Sequence, residues 1–178
     1  MSPKGNKKQA AGKGGKPVKT AEKQLPIRVI ARNKRAHHEY LIQEELECGV
    51  MLVGTEVKSL RGGRCTLAEA YVTLVEKRGR LEMDLIGCNI PRYSHGNKNN
   101  HEPDRVRRLL AHEREMRDWF KRVREKGITI VPLEVYFKGS LVKVKVALVK
   151  GKKLHDKRNT ERERTDRRDI ERELGRRR

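Results

Sequence analysis

Apolar and polar residues alternate along several short stretches of the chain, which is the pattern of half-buried β-strands. The alternation is clearest in residues 142–148, where Val144 and Val146 point one way and Lys143 and Lys145 the other. This pattern predicts a strand with one apolar face and a second face that carries two ammonium groups.

Turn residues divide the apolar stretches into hairpins. Residues 71–76 and 81–86 flank a short loop that contains Gly79, and residues 129–137 and 141–148 flank a loop that contains Gly139. Loops of this length favour β-hairpins. Two antiparallel pairs are therefore predicted.

A third hairpin is predicted near the start of this region. Residues 40–46 mix apolar and acidic positions, Gly49 interrupts the pattern, and the apolar run 50–53 follows. Glycine inside an extended stretch often marks a break, so residues 50–53 are expected to form a fully buried second arm.

Helical signals are fewer. Thr66 can cap a short turn over residues 67–70, with Glu69 at the position that a capping box requires. A longer helix is predicted over residues 111–126, where Met116, Trp119, Phe120 and Val123 form one stripe and Gly127 is the stop. The helical spacing of the aromatic residues favours a core position over a base-stacking surface.

Several short antiparallel strands with one or two helices predict a mainly β fold, a small OB-like barrel. Residues 29–150 hold all the aromatic residues and form this barrel. Residues 1–28, with a net charge of +7, form a flexible basic arm, and residues 151–178, with a net charge of +5, form a basic tail. The tail is expected to be disordered when free and helical when bound to RNA.

The charge of the whole chain indicates its partner. The net charge is +20 among 178 residues, which attracts polyanions strongly. Nucleic acid is favoured over a membrane, because no apolar run approaches the roughly 20 residues that a span needs. The first residues lack the apolar segment of a signal peptide, so a cytoplasmic location is expected.

The cysteines and histidines offer little for metal or disulfide chemistry. Cys48, Cys65 and Cys88 are far apart in the sequence and form no CxxC pair. Reduced thiols in or near the core are expected. His95 and His101 lack a Cys or an acid at metal-ligand spacing, so no metal site is predicted.

Two clusters combine charge with turns or amides. In residues 54–64, glycines bring backbone N–H groups close to a ligand, and Lys58, Arg61 and Arg64 supply charge. An ordinary turn with solvated charges is the alternative. Residues 93–101 form an amide-rich loop in which Asn97 can bond base edges or 2′-hydroxyls.

A third basic cluster, residues 151–158, lies where the barrel meets the tail. Taken with the earlier segments, it makes the sequence resemble the SsrA-binding protein family, also called small protein B. Three blocks carry the resemblance in order and spacing: GTEVKSLRGGR, KGITIVPLEVYFKG and VKVKVALVKGKKLHDKR. The match extends from about Asn33 to the C-terminus. The longer Lys/Gly-rich N-terminal arm, Cys48 where alanine is more usual, and the bulky Trp119 depart from the family pattern.

The resemblance implies a function. The family binds the tRNA-like domain of transfer-messenger RNA (tmRNA) in ribosome rescue by trans-translation, with no catalytic residue and no cofactor. A monomer is expected. The RNA-binding residues expected from the resemblance and from the clusters above are Asn33, Lys34, His38, Glu47, Lys58, Arg61, Arg64, Asn97, Leu110, Lys143 and Lys145. Glu47 can accept from base amino groups or fix a neighbouring cation. It can also be an ordinary acid at a strand end.

The resemblance also implies a role for the tail. In this family it enters the empty mRNA channel of a stalled small ribosomal subunit, near the decoding centre, and forms a helix there. The residues expected to act are Gly151, Lys152, Lys153, His155, Asp156, Lys157 and Arg158.

Two other functions remain open from the residues. A nuclease would need grouped carboxylates or an activated nucleophile, whereas the acids here are interleaved with Arg and Lys. A structural ribosomal protein of OB type is the stronger alternative, because basic extensions suit that role equally well.

Overall fold

The computed structural model describes residues 25–153, together with the single residues Thr165 and Arg172. The elements in chain order are strand β1 (Ile27–Arg32), helix α1 (Ala36–Glu39), strand β2 (Tyr40–Val50), helix α2 (Gly54–Arg61), strands β3 (Tyr71–Lys77) and β4 (Arg80–Ile86), a 3₁₀ helix (Asn97–Asn99), strand β5 (Arg107–Leu110), helix α3 (Glu113–Val123), and strands β6 (Ile128–Lys138) and β7 (Leu141–Gly151). In this part of the chain no helix has the length and apolar character that crossing a bilayer requires.

The strands close into a barrel. They pair antiparallel in the order β1-β6-β3-β4-β5-β2-β7, and β6 also pairs with β7. Six strands therefore form a ring, and β1 extends it along the C-terminal half of β6. The prediction of a mainly β, OB-like barrel with flanking helices is confirmed.

The main core fills the barrel. Val144, Val146 and Leu148 of β7 are at most 1% exposed and pack with residues of β4 and β6 such as Met83 and Ile130. The alternation in residues 142–148 is thus confirmed, because these side chains point inward. Lys143 and Lys145 point outward and form ion pairs with acids on β2.

A second, smaller core lies outside the barrel, under α1. Ala36 of α1 packs on Val131 and Leu133 of β6 and on Ala147 and Val149 of β7. One end of β7 is therefore buried on both faces. This packing holds α1 against the barrel wall.

Helix α3 packs against strands β3, β4 and β6. Trp119 is 2% exposed and lies in the main core, and Met116, Phe120 and Val123 pack beside it. The expected core role of the aromatic residues is confirmed. The helix is shorter than residues 111–126: it ends at Val123 with Arg124 as its C-cap, so the prediction that Gly127 stops it is wrong. Gly127 has φ 85° and lies in the turn before β6.

Both of the later hairpins are confirmed. The β3–β4 turn consists of Arg78 and Gly79, with φ values of 52° and 74°. Two positive φ values match a type I′ turn, whose twist suits tight hairpins. The second turn, between β6 and β7, contains Gly139 with φ 62°.

The hairpin predicted over residues 40–53 is wrong. Strand β2 continues through Gly49, which pairs with Lys143 on one side and Leu110 on the other. A Cβ on Gly49 would lie 3.3 Å from the Cβ of Leu110, so this glycine lets β5 approach closely. Met51 and Val53 are about half exposed rather than buried.

Local structure in residues 54–61 also differs from the prediction. Residues 54–61 form helix α2 instead of a glycine-rich loop, and the glycine pair Gly62 and Gly63 follows it. Residues 67–70 form a turn as predicted, with the Ala70 N–H bonded to the Leu67 carbonyl. Sequence patterns also missed the short elements β1, α1 and β5.

Candidate nucleic-acid interface

The predicted RNA-binding residues lie on three neighbouring parts of the fold. Asn33, Lys34 and His38 belong to the α1 region. Glu47, Leu110, Lys143 and Lys145 lie on β2, β5 and β7. Lys58 and Arg61 lie on α2, Arg64 on the loop after it, and Asn97 in the 3₁₀ helix.

Glu47 organises a cluster on the outer wall of β2, β7 and β6. The Tyr136 hydroxyl donates to its carboxylate at 2.5 Å, the Lys138 ammonium lies 3.1 Å away and the Lys143 ammonium 3.6 Å away. We call Glu47, Tyr136, Lys138 and Lys143 the Glu47 cluster. It fixes two cations side by side on the surface of the barrel.

The carboxyl group of this cluster stays ionised. The hydrogen bonds from Tyr136 and Lys138 and the charges of Lys138 and Lys143 hold the pKa of Glu47 below its ordinary value, against the opposing effect of burial. Burial and the neighbouring carboxylate raise the pKa of Tyr136, which therefore remains a donor. Of the two expected roles, fixing a neighbouring cation is the one that this geometry supports.

Sequence reasoning missed Tyr136 and Lys138. They lie on β6, which pairs with β7, and β7 in turn pairs with β2. Only the three-strand register brings them to Glu47. Strand alternation could have indicated Tyr136, because Val135 and Phe137 on either side of it lie in the barrel core.

Lys145 and Leu110 flank the Glu47 cluster. The Lys145 ammonium lies 3.4 Å from the Glu45 carboxylate, so part of its charge is compensated. Leu110 is 54% exposed next to Gly49. An exposed aliphatic side chain there can contact the face of an unpaired base or a ribose.

Asn33 faces the fold rather than solvent. It is 8% exposed, its amide oxygen accepts from the N–H groups of Arg35 and Ala36, each at 3.2 Å, and its amide nitrogen donates to the Pro132 carbonyl at 3.3 Å. These bonds fix the turn that presents the exposed Lys34. The geometry thus gives Asn33 a positioning role.

Helix α2 presents a basic surface. The Lys58 ammonium lies 5.5 Å from the centre of the Tyr93 ring, a cation–π distance. Arg61 and Arg64 are exposed. Arg28 of β1 donates to the Arg61 carbonyl at 3.2 Å, which adds another guanidinium group beside the end of the helix.

A buried ion-pair group anchors α2 to the barrel. Glu56 is 0% exposed and accepts from the Arg107 Nε at 2.8 Å and from the Arg105 Nε at 2.8 Å. Its carboxylate also accepts from the Val53 N–H at the start of the helix at 2.7 Å. Arg105, Arg107 and Glu56 were not predicted, because acids and arginines on a basic chain look solvated.

The amide-rich loop is held partly by its own side chains. Asn100 bonds the backbone N–H and carbonyl of Tyr93 at 3.1 and 2.7 Å. His101 is 7% exposed, with Nδ1 at 3.0 Å from the Thr55 hydroxyl and Nε2 at 3.0 Å from the Ile90 carbonyl. Both residues are therefore structural. Asn97 lies in the 3₁₀ helix of this loop.

The root of the tail contacts α1. Gly151 ends β7, and the Lys152 N–H bonds the Glu39 carbonyl at 3.0 Å. The Lys152 ammonium donates to the His37 carbonyl, also at 3.0 Å. Lys153 is the next residue, and His155, Asp156, Lys157 and Arg158 lie outside the described residues.

No group of three or more His, Cys, Asp or Glu residues suited to a metal ion occurs among the residues that the structure describes. The cationic and hydrogen-bonding groups of α1, α2 and the Glu47 cluster are those that proteins use toward phosphates and unpaired bases.

The chain is similar to a protein-family model and to known proteins that share one name. The family model described as SmpB protein matches residues 30–176. A protein of Bifidobacterium adolescentis named SsrA-binding protein is 47% identical over 148 residues, 83% of this chain and 91% of that relative. One of the same name from Mycobacterium sp. is 44% identical over 168 residues, 94% of this chain and 96% of that relative.

A solved structure is similar as well. It is described by the words "tmRNA-SmpB: a journey to the center of the bacterial ribosome". Its chain superposes with a TM-score of 0.56 at 38% identity and covers 70% of this chain and 85% of its own length.

Proposed function

Because this chain belongs to the SmpB protein family, we propose that it binds the tRNA-like domain of tmRNA and delivers it to stalled ribosomes for trans-translation. It is an RNA-binding protein and not an enzyme, since that is the nature of the family. It works in the cytoplasm as a monomer, and its partners are tmRNA and the RNA of the small ribosomal subunit.

The Glu47 cluster is the observation that carries this function on the barrel. Lys138 and Lys143 lie within 3.6 Å of one carboxylate, so two ammonium groups are held in place instead of moving freely. Fixed cations lose less side-chain entropy when they meet phosphates. Phosphate contacts of this kind position a protein on RNA.

The surrounding residues extend the contact surface. Lys34 precedes α1 and His38 lies in it. Leu110 and Lys145 flank the cluster. Lys58 and Arg61 extend the charge along α2, and Arg64 extends it into the loop that follows. Asn97 supplies an amide for base edges or ribose hydroxyls. Asn33 acts by holding the turn before Lys34.

The tail supplies the second part of the function. Gly151, Lys152 and Lys153 lead from the barrel, and His155, Asp156, Lys157 and Arg158 enter the vacant mRNA channel near the decoding centre. The contact of Lys152 with α1 supports this division, because it ties the root of the tail to the region of Lys34 and His38.

A binding experiment tests the barrel part. The full chain is titrated with labelled RNA of the tRNA-like domain at several salt concentrations, and log affinity should fall with log salt by roughly 0.7 to 0.9 per phosphate neutralised. Lys143→Ala should weaken binding about tenfold, or about 1.4 kcal/mol. Lys126→Ala removes the same charge from an exposed position after α3 and should change affinity little.

Equal losses of affinity in the two variants would show that only net charge matters, which would contradict a defined RNA-binding face.

Sedimentation of cell extracts supplies a second test. A rescue factor is substoichiometric on ribosomes and depends on tmRNA, whereas stoichiometric presence on every small subunit would indicate a structural ribosomal protein.

A further inference from the structure

Two of the three thiols of the described residues lie close together in space although 23 positions separate them in the sequence. The Sγ atoms of Cys65 and Cys88 are 3.7 Å apart, and both cysteines are free thiols. A disulfide has an S–S distance of about 2.05 Å, so the sulfurs need to approach by roughly 1.7 Å. Rotation of the side chains can supply part of such a movement.

The backbone around the two cysteines is already paired. The Thr66 N–H bonds the Asn89 carbonyl at 2.9 Å, and the Asn89 N–H bonds the Thr66 carbonyl at 3.1 Å. Cys65 and Cys88 therefore flank an antiparallel bridge on neighbouring segments. Their juxtaposition is fixed by the fold, not by a chance meeting of two mobile loops.

The two thiols differ in access and in surroundings. Cys65 is partly exposed, whereas Cys88 is 1% exposed. Arg107, itself fully buried, donates from its guanidinium group to the carbonyl of Cys88. A hydrogen bond from Cys65 and the nearby Arg107 charge lower the pKa of Cys88, whereas the same hydrogen bond and burial raise the pKa of Cys65.

From this geometry we infer that Cys65 and Cys88 form a site of reversible oxidation, in which a hydroperoxide converts the two thiols to an intramolecular disulfide. Cys65 meets the oxidant because solvent reaches it. As its sulfur attacks one peroxide oxygen, Cys65 passes its proton to the Cys88 thiolate with which it shares a hydrogen bond, and the O–O bond breaks. For hydrogen peroxide the products are a sulfenic acid on Cys65 and water, because the leaving hydroxide takes up that proton and leaves Cys88 as the thiolate.

Cys88 then completes the reaction. Its thiolate attacks the sulfur of the Cys65 sulfenic acid, the S–O bond breaks, and the hydroxide takes up a proton to leave as a second water. The two cysteines together lose two electrons and two protons, and one peroxide molecule is reduced to two waters. The third thiol, Cys48, is 0% exposed in the main core and contacts the sulfur of Met83 at 3.9 Å, so it takes no part.

The disulfide would affect the loop after α2. The bond closes a loop over the β3–β4 hairpin, which lies between the two cysteines, and such a closure restricts the unfolded chain. Arg64 precedes Cys65 directly and follows Gly62 and Gly63. Oxidation should therefore raise the melting temperature and slow tryptic cleavage after Arg64.

Mass spectrometry of the full chain tests the site. The protein is treated with hydrogen peroxide, quenched with catalase, denatured and alkylated with N-ethylmaleimide. We expect one alkylated cysteine, Cys48, together with a Cys65–Cys88 cross-linked peptide, and three alkylated cysteines after reduction with dithiothreitol. Cleavage after Arg64 should slow in the oxidised form, whereas cleavage after the exposed Arg114 should not.

Variants make the result specific. Cys65→Ser and Cys88→Ser should each abolish the cross-link, and Cys48→Ala should retain it. If Cys88→Ser does not fold, Cys65→Ser alone tests the cross-link, because a substitution at this partly exposed position should leave the fold intact. A bond that involves Cys48, a cross-link between two chains, or Cys65 oxidised to the sulfinic acid while Cys88 remains alkylatable would overturn the inference.

Discussion

Glu56 and Arg107 form an ion pair with no exposed surface on either side chain, the Arg107 Nε lying 2.8 Å from the Glu56 carboxylate. Arg107 also donates to the carbonyls of Pro103 and Arg105, at 2.7 and 3.0 Å. The pair joins α2 to β5 across 51 positions of sequence. It therefore holds the helix that carries Lys58 and Arg61.

Glu56→Gln should destabilise the fold strongly. The substitution preserves shape but leaves the fully buried Arg107 without its counter-charge, and breaking such a pair typically costs about 3 to 5 kcal/mol. Urea unfolding measures the effect. Glu113→Gln is the control, because Glu113 pairs with Arg117 on an exposed helix surface. Solvent screens such a pair, so it contributes little to the free energy of unfolding. Similar losses in both variants would mean that the buried pair contributes no more than a surface pair.

The same carboxyl group should make stability depend on pH. Burial alone would raise the pKa of Glu56, but the hydrogen bonds from Arg105 and Val53 and the charge of Arg107 outweigh burial and lower it. A carboxyl group with a lowered pKa in the folded state stabilises the protein above its ordinary pKa, and this contribution is lost as the pH falls through the lowered value. The free energy of unfolding should therefore decrease from pH 6 to pH 3.

Comparison with Glu56→Gln isolates this contribution. The variant lacks the titrating group, so its free energy of unfolding should fall less over the same pH range. Parallel curves for the two proteins would assign the acid sensitivity to other carboxyl groups, of which Glu47 also has a lowered pKa.

Substitutions at two neighbouring residues of β7 should differ in their effect on stability. Val144 is 1% exposed in the barrel core, so Val144→Asp buries an unpaired carboxyl group and should cost more than about 3 kcal/mol of stability. Lys143→Ala should leave the melting temperature nearly unchanged, because its side chain points outward. Thermal unfolding checks both variants, and equal losses would place the strand in the other register.

The sequence predicted β7 correctly because strand alternation is a local property. The hairpins 71–86 and 129–148 were also predictable, since their turns contain residues suited to tight reversals. Gly49 misled the prediction because its role, the close approach of Leu110, depends on a strand about 60 positions away. Helix α2 was missed because Gly54, Gly62 and Gly63 at its ends favoured a loop, although Glu56 accepts from the Val53 N–H in a local capping contact. Its contacts with Arg105 and Arg107 depend on the tertiary fold.

In the candidate site, too, local sequence could identify some residues, whereas others depend on the tertiary structure. Lys143 could be named from its motif and its outward position. Its partners Tyr136 and Lys138 depend on the register of three strands. Asn33 was also named, but only the structure gives its amide the role of fixing a turn.

Glu47→Gln should weaken RNA binding even though it removes a negative charge from the RNA-binding face. If Glu47 fixes Lys138 and Lys143, loss of the carboxylate releases both cations, and affinity should fall roughly five- to tenfold. Fluorescence anisotropy with labelled RNA of the tRNA-like domain measures this affinity. Glu44→Gln removes an exposed acid of the same strand that pairs with Arg122, which is not among the proposed RNA-binding residues, and should bind within about twofold of the parent chain. Tighter binding by Glu47→Gln would show that this acid only repels phosphate.

The last prediction separates the tail from the barrel. Since the Glu47 cluster and α2 lie on the barrel, replacing Asp156, Lys157 and Arg158 together by Ala should leave affinity for the tRNA-like domain near that of the parent chain. Peptide tagging on stalled ribosomes should be lost, because the tail no longer engages the vacant mRNA channel. Discrimination then comes from exclusion of the tail by mRNA rather than from reading a base sequence. Binding and tagging are measured on the same preparations, with Asp166→Ala as a control farther along the tail. Normal tagging by the triple variant would refute the proposed role of these residues, and a loss of RNA affinity by orders of magnitude would place the main RNA contact in the tail.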